Sequence, residues 1–174
     1  MTREERRAAH LETVYHYAGD VAGSDLLKRE EEVPQHGSVS CYQHSLAVTV
    51  MSVRLASSLR LRVDMESMIK GALLHDYYLY DWRKEDTTRR EHGFGHARRA
   101  LANADRDFEL TPIARDVIEK HMFPLNPEMP RYKESVVVSV ADKICATKEV
   151  CRFLSAKAKD TAARRRFAPQ AAGR

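Results

Sequence analysis

An apolar run that ends in a histidine and an aspartate, Gly71-Ala72-Leu73-Leu74-His75-Asp76, constrains this chain more than any other stretch. Charge inside a core is costly unless it is paired or bound to a metal, so a His-Asp doublet closing a buried helix requires a partner. Adjacent side chains on a helix diverge by about 100°, because each turn takes 3.6 residues. The imidazole and the carboxylate can therefore converge on one ion while their backbones stay apart. Alone the doublet is a weak signal. It gains weight because His44 lies upstream and His96, His121 and Asp142 lie downstream, each on a separate predicted helix.

Periodicity and capping signals supply those helices. Thr2-x-x-Glu5 matches a capping box, and Ala8, Leu11, Val14, Tyr15 and Ala18 recur at helical spacing up to a stop at Gly19. A short helix is predicted from Ser24 to Glu31, closed by Pro34, with Gln35-His36-Gly37 as a loop. Ser40 to Leu59 is apolar on most faces, which marks a central helix, and His44 falls in its first turns. Asp64 is a natural N-cap for the helix carrying Met65, Met68, Ile69, Ala72, Leu73 and His75.

Asp81 to Gly95 is polar and irregular, the longest predicted loop, and loops of that length are often functional. Gly93 and Gly95 disfavour helix, so the next one is expected to begin at His96 and run through Asn103. Thr111-Pro112 reads as an N-cap with proline at the first helical position, opening a helix through Ile113, Val117 and Ile118 to His121. Pro124, Pro127 and Pro130 then impose a loop. Val136 to Val140 has strand propensity, but the apolar pattern continues through Ile144, Cys145 and Val150. That length favours a helix from Lys133 to about Leu154. The expectation is an all-α bundle in a single domain over residues 1–155. Residues 156–174 form a basic, Ala-rich tail, read as a fraying helix and a disordered end.

Composition removes several function classes. A chain of 174 residues with 43% hydrophobic content suits one globular domain. Lys and Arg number 29 against 25 Asp and Glu, a net +4, part of it in Arg164-Arg165-Arg166. So mild a balance does not imply nucleic-acid binding, and none is expected. Cys41, Cys145 and Cys151 are odd in number and lack metal-site spacing, which suits reduced thiols in a cytoplasmic protein. No segment resembles a signal peptide or is long enough to span a bilayer, so no membrane association is expected.

The remaining polar residues point to metal chemistry. Imidazole nitrogens and carboxylate oxygens at His44, His75, Asp76, His96, His121 and Asp142 suit borderline divalent ions such as Fe, Mn, Co, Ni or Zn. With no cysteine among them, a structural zinc site is disfavoured. Six ligands exceed what one tetrahedral ion needs, and one carboxylate can bridge two ions. Two ions about 3.5–4 Å apart can clamp a phosphate and generate a hydroxide at neutral pH.

In order and spacing, His44, His75-Asp76 and Asp142 resemble the signature of the HD-domain superfamily of metal-dependent phosphohydrolases: His, then His-Asp, then Asp, on separate helices of an all-α, phosphodiesterase-like bundle. The resemblance covers roughly Gln35 to Cys151, and His96 and His121 match the additional histidines of members with two metals. It implies one ion on His44, His75, Asp76 and Asp142, and a second that shares Asp76 and adds His96 and His121. Asp76 is then the catalytic carboxylate. The HD-GYP cyclic-dinucleotide phosphodiesterases carry a lysine four positions after the motif histidine. Here that position is Leu79, His121-Met122 replaces their paired histidine, and no Gly-Tyr-Pro follows, all of which argue against cyclic di-GMP.

Substrate contacts are expected from His36 in its loop and from Arg83, one turn beyond Leu79 if the helix persists. His92 and Lys143 complete the set: glycines separate His92 from His96, and Lys143 directly follows a ligand. Tyr77, Tyr78, Tyr80 and Trp82 are read as helix packing. No glycine-rich phosphate loop is present, so the metals must carry most of the phosphate recognition. The expected function is hydrolysis of a phosphate ester or anhydride of a nucleotide or other small metabolite. One alternative is a mixed-valent di-iron oxygenase, which shares the six-ligand pattern. Another is a nucleotide-binding sensor without turnover, against which the complete ligand set argues.

Overall fold

Five helices begin where a side chain caps them, among them a short one after Ser24, whose hydroxyl accepts the Leu27 N–H. The Thr2 hydroxyl accepts the Glu5 N–H while the Glu5 carboxylate accepts the Thr2 N–H, opening α1 (Arg3–Ala22). Ser40 and Gln43 repeat the reciprocal pair ahead of α3 (Cys41–Ser58). Asp64 accepts the Ser67 N–H to open α4 (Met65–Leu74), and Thr111 accepts the Ala114 N–H to open α6 (Pro112–Lys120). Each such cap is worth about 0.5–2 kcal/mol and fixes where its helix starts. In this computed structural model, residues 2–35, 39–80 and 89–167 are described, the side chains of residues 3, 89–94 and 159–167 excepted. The remaining helices are α2 (Asp25–Lys28), continued by a 3₁₀ turn at Arg29–Glu32, then α5 (Arg89–Asp107) and α7 (Lys133–Phe167). The fold is all-α, with no strand among the described residues.

Helix α3 packs against α4 and α7, and α4 packs in turn against α6 and α1. Val48, Val53, Met68, Ile69, Leu73, Val117, Ile118 and Val138 fill the space between them, all buried. Along the valine run of α7, Val137, Val138 and Ala141 enter the core while Val136 and Val140 face solvent. That is a helical division, not the alternation of a strand. Among the described residues, no helix is long and apolar enough to cross a membrane.

Several expectations are corrected. Gly19 does not end α1; the helix bends at Ala18 (φ −146°, ψ 38°), continues to Ala22, and is closed at Gly23. The segment after it is split between α2 and the 3₁₀ turn. Helix α5 begins at Arg89, so His96 lies inside it and not at its start. A helical glycine costs only about 1 kcal/mol relative to alanine. Burial of Ala97, Ala100 and Ala104, with α5 packed on α6, outweighs it. Helix α4 stops at Leu74, and Leu79 adopts φ 56°, so no helix persists from the His-Asp doublet towards Arg83. Helix α7 runs past Leu154 to Phe167, while residues 168–174, expected as a disordered end, lie outside the described residues.

Gly71 governs how closely α4 and α6 approach. A Cβ there would stand 2.6 Å from Val117 Cβ and 2.7 Å from Val117 Cγ1, inside contact distance. Both atoms belong to a short branched side chain in a packed core, so neither can swing away. Gly71→Ala is expected to destabilise the protein by about 1–3 kcal/mol, the usual cost of overpacking. Denaturant unfolding measures this, and an unchanged midpoint would show that the α4–α6 spacing is not set by this glycine.

Candidate metal centre

Two of the four histidines sit at helix C-termini and are oriented by their own backbone. His75 caps α4, and its Nδ1–H donates to the Ala72 carbonyl at 2.9 Å. His121 caps α6 in the same way, with Nδ1–H donating to the Ile118 carbonyl at 2.8 Å. A carbonyl only accepts, so a proton resides on Nδ1 of each ring, and Nε2 is the atom turned into the cluster. His44 projects from the first turns of α3, His96 from the interior of α5 and Asp142 from α7.

All six predicted ligands converge in one buried volume. Asp76 lies at its centre, 2% exposed. Its Oδ2 is 3.4 Å from His75 Nε2 and 3.9 Å from His44 Nε2. Its Oδ1 is 3.3 Å from His96 Nε2 and 3.6 Å from His121 Nε2. Asp142 Oδ1 stands 3.1 Å from His44 Nε2 and 3.9 Å from His75 Nε2. The Nε2 atoms of His96 and His121 are 3.0 Å apart.

This donor set fits a cation. His75 Nε2 and Asp76 Oδ1 are buried without a hydrogen-bond partner. A lone pair aimed at a carboxylate repels it unless positive charge lies between them. Candidate donor atoms of His44, His75 and Asp142 lie within 4.8 Å of one another, as do those of His75, Asp76 and His121. Imidazole nitrogen and carboxylate oxygen are the donors that borderline divalent ions prefer.

Electrostatics carries the same message. Burial alone would lower the pKa of His44, but hydrogen bonds to Asp142 and Glu149 and the charge of Asp76 override it and raise it to about 10. Burial works against ionisation of Asp76, yet His75, His96 and His121 hold its carboxyl well below the usual range. Asp142 is likewise lowered against burial, chiefly by the hydrogen bond from His44. Burial and then the neighbouring His75 depress His121 to about 3, so that ring is neutral.

Three further groups, not singled out from the sequence, touch or border the cluster. Glu149 Oε2 accepts from His44 Nδ1 at 2.9 Å. It lies seven residues after Asp142, two turns along the same face of α7, a spacing that is legible once Asp142 is suspected. Gln35 donates its side-chain amide to Asp76 Oδ2 and accepts the Tyr78 hydroxyl. Because this contact joins a loop to a residue far along the chain, no local pattern announces it. Glu30, fully buried in the 3₁₀ turn, is pushed well upward by burial and then by the charge of Asp76.

The expected substrate contacts fare differently. Lys143 donates to the His121 carbonyl at 3.0 Å, the Ser139 carbonyl at 3.2 Å and the Ser139 hydroxyl at 2.9 Å. An ammonium has three donors, so all are engaged, and they tie α7 to the end of α6. His36 and Arg83 lie outside the described residues, as does the side chain of His92. Tyr77 and Tyr78 are buried, in keeping with packing; Trp82 lies outside the described residues.

The HD domain model matches residues 41–147, more than half of the sequence, a span that contains His44, His75-Asp76, His96, His121 and Asp142. The chain belongs to the HD-domain family. No curated protein and no solved structure matches it. HD domains are mostly metal-dependent hydrolases, which agrees with the donor set found here.

Protonated His44 opposes a metal ion, because the proton occupies the Nε2 lone pair. Loading a divalent ion near neutral pH is therefore expected to release at least one proton per chain. Affinity should rise with pH until His44 loses its proton unaided, near its own pKa of about 10. Calorimetric titration in buffers of different ionisation enthalpy counts the protons. Uptake of a metal with none released would contradict this charge balance.

Proposed function

We propose that the chain is a metal-dependent phosphohydrolase acting on a phosphate ester or anhydride of a nucleotide or other small metabolite. The observation that carries this reading is the division of Asp76: Oδ2 faces His44 and His75, whereas Oδ1 faces His96 and His121. In this reading one ion is held by His44, His75, Asp76 and Asp142, and a second by Asp76, His96 and His121. Divalent ions there would acidify a water and neutralise charge on phosphoryl oxygens.

The chain itself supplies placement. Backbone carbonyls hold the rings of His75 and His121 with Nε2 inward, and Gln35 restrains the Asp76 oxygen that faces His44 and His75. Lys143, through its bond to the His121 carbonyl, braces the end of α6. His36, Arg83, His92 and Lys143 remain the proposed substrate contacts. The reaction compartment is proposed to be the cytoplasm, in keeping with three free cysteines.

Two measurements test the proposal. Loaded with Mn under anaerobic conditions, the protein should release phosphate from at least one member of a nucleotide and phosphoester panel. Inactivity on the panel together with oxygen consumption by the iron form would replace hydrolysis by the di-iron oxygenase reading, which uses the same donors.

Metal stoichiometry tests the shared carboxylate. His96→Ala or His121→Ala should lower occupancy from about two ions to one and sharply reduce turnover. Asp76→Ala should empty both positions and abolish activity. A wild type that saturates at one ion, with both histidine variants retaining it and full rate, would refute the second position.

A further inference from the structure

We propose that Glu149 is a positioning residue for the metal centre: its carboxylate fixes His44 with Nε2 towards the cluster and strengthens cation binding at the His44 position. The proposal rests on the metal-binding reading above and extends it to a residue beyond the matched span, which ends at 147. Glu149 Oε2 lies 2.9 Å from His44 Nδ1, while Asp142 Oδ1 lies 3.1 Å from His44 Nε2. One helix thus grips both nitrogens of a single imidazole with carboxylates seven residues apart. His44 is fully buried and Glu149 is 8% exposed, so water does little to weaken their contact.

The Nδ1 partners of these histidines differ. His75 and His121 donate Nδ1–H to neutral backbone carbonyls, whereas His44 faces a carboxylate. A carboxylate draws the Nδ1 proton more strongly than a carbonyl does. It thereby leaves more electron density on Nε2 and places an extra negative charge close to a bound cation. Partners of this kind set ligand orientation and basicity, and their loss typically costs about 10–100-fold in metal affinity. His121, with a backbone acceptor and no carboxylate behind it, receives no such reinforcement.

Chelator competition with cobalt(II), on the full chain, tests this by resolving each binding step. Glu149→Ala should weaken one binding step by about 10–100-fold and leave the other nearly unchanged. Glu149→Gln, which keeps an acceptor oxygen but removes the charge, should fall between wild type and Glu149→Ala. Thermal unfolding of the metal-free proteins supplies the control: a merely structural contact would lower the midpoint in the variants without selectively weakening one binding step. Unchanged affinity in both variants overturns the proposal, as does unchanged affinity in Glu149→Gln alone if Glu149→Ala fails to fold. A wild type that takes up no cobalt would overturn the metal reading itself, an outcome distinct from a variant that binds normally.

Discussion

Asp76 is an ionised carboxylate placed almost entirely out of water, with imidazole nitrogens facing both of its oxygens. An unpaired charge in such a place costs several kcal/mol or more, a large fraction of the roughly 5–15 kcal/mol that holds a domain together. The bundle answers with histidines from four helices and a second carboxylate from a fifth, arranged around this one residue. Each of these helices has to bury an apolar face and at the same time bring one polar atom to a shared point. The tight α4–α6 approach at Gly71 serves both ends, since it packs Leu73 and Ile118 into the core and brings His75 and His121 together.

Much of that arrangement is legible in the chain before any coordinates. Asp64, Thr111-Pro112 and the Ser40/Gln43 box announce helix starts, and the apolar spacing after each carries the reading to His75, His121 and His44. Such signals are local and strong, so they survive folding. The start of α5 is not legible in the same way. Gly93 and Gly95 argue against helix with a modest intrinsic cost, and burial of alanines against α6 overrides it. That override also moves His96 from a helix end into a helix interior. Gln35 and Glu149 escape sequence reasoning for different reasons. Gln35 reaches Asp76 only because of the path of the backbone, whereas Glu149 stands at a readable spacing but is one of many charged residues along a helical sequence.

Lys143 shows how a helix separates neighbours in sequence. It follows Asp142 directly, but successive side chains on a helix diverge by about 100°, so a neighbour of an inward carboxylate points elsewhere. Its ammonium instead closes the end of α6, donating to the His121 and Ser139 carbonyls. The same helix thus supplies a carboxylate to the cluster, another behind His44 and a cation behind His121. Helix α7 is the common reference for both halves of the site.

The positions of His75 and His121 as helix C-caps have a consequence of their own. A helix C-terminus carries roughly half a negative charge from its aligned peptide dipoles. Two such ends, from α4 and α6, therefore meet at a centre that already contains the carboxylates of Asp76 and Asp142. The protonated His44 ring offsets part of that negative charge, and the remainder favours a cation over an anion. Under the proposed function, an anionic substrate would gain from a cation already held between these helix ends.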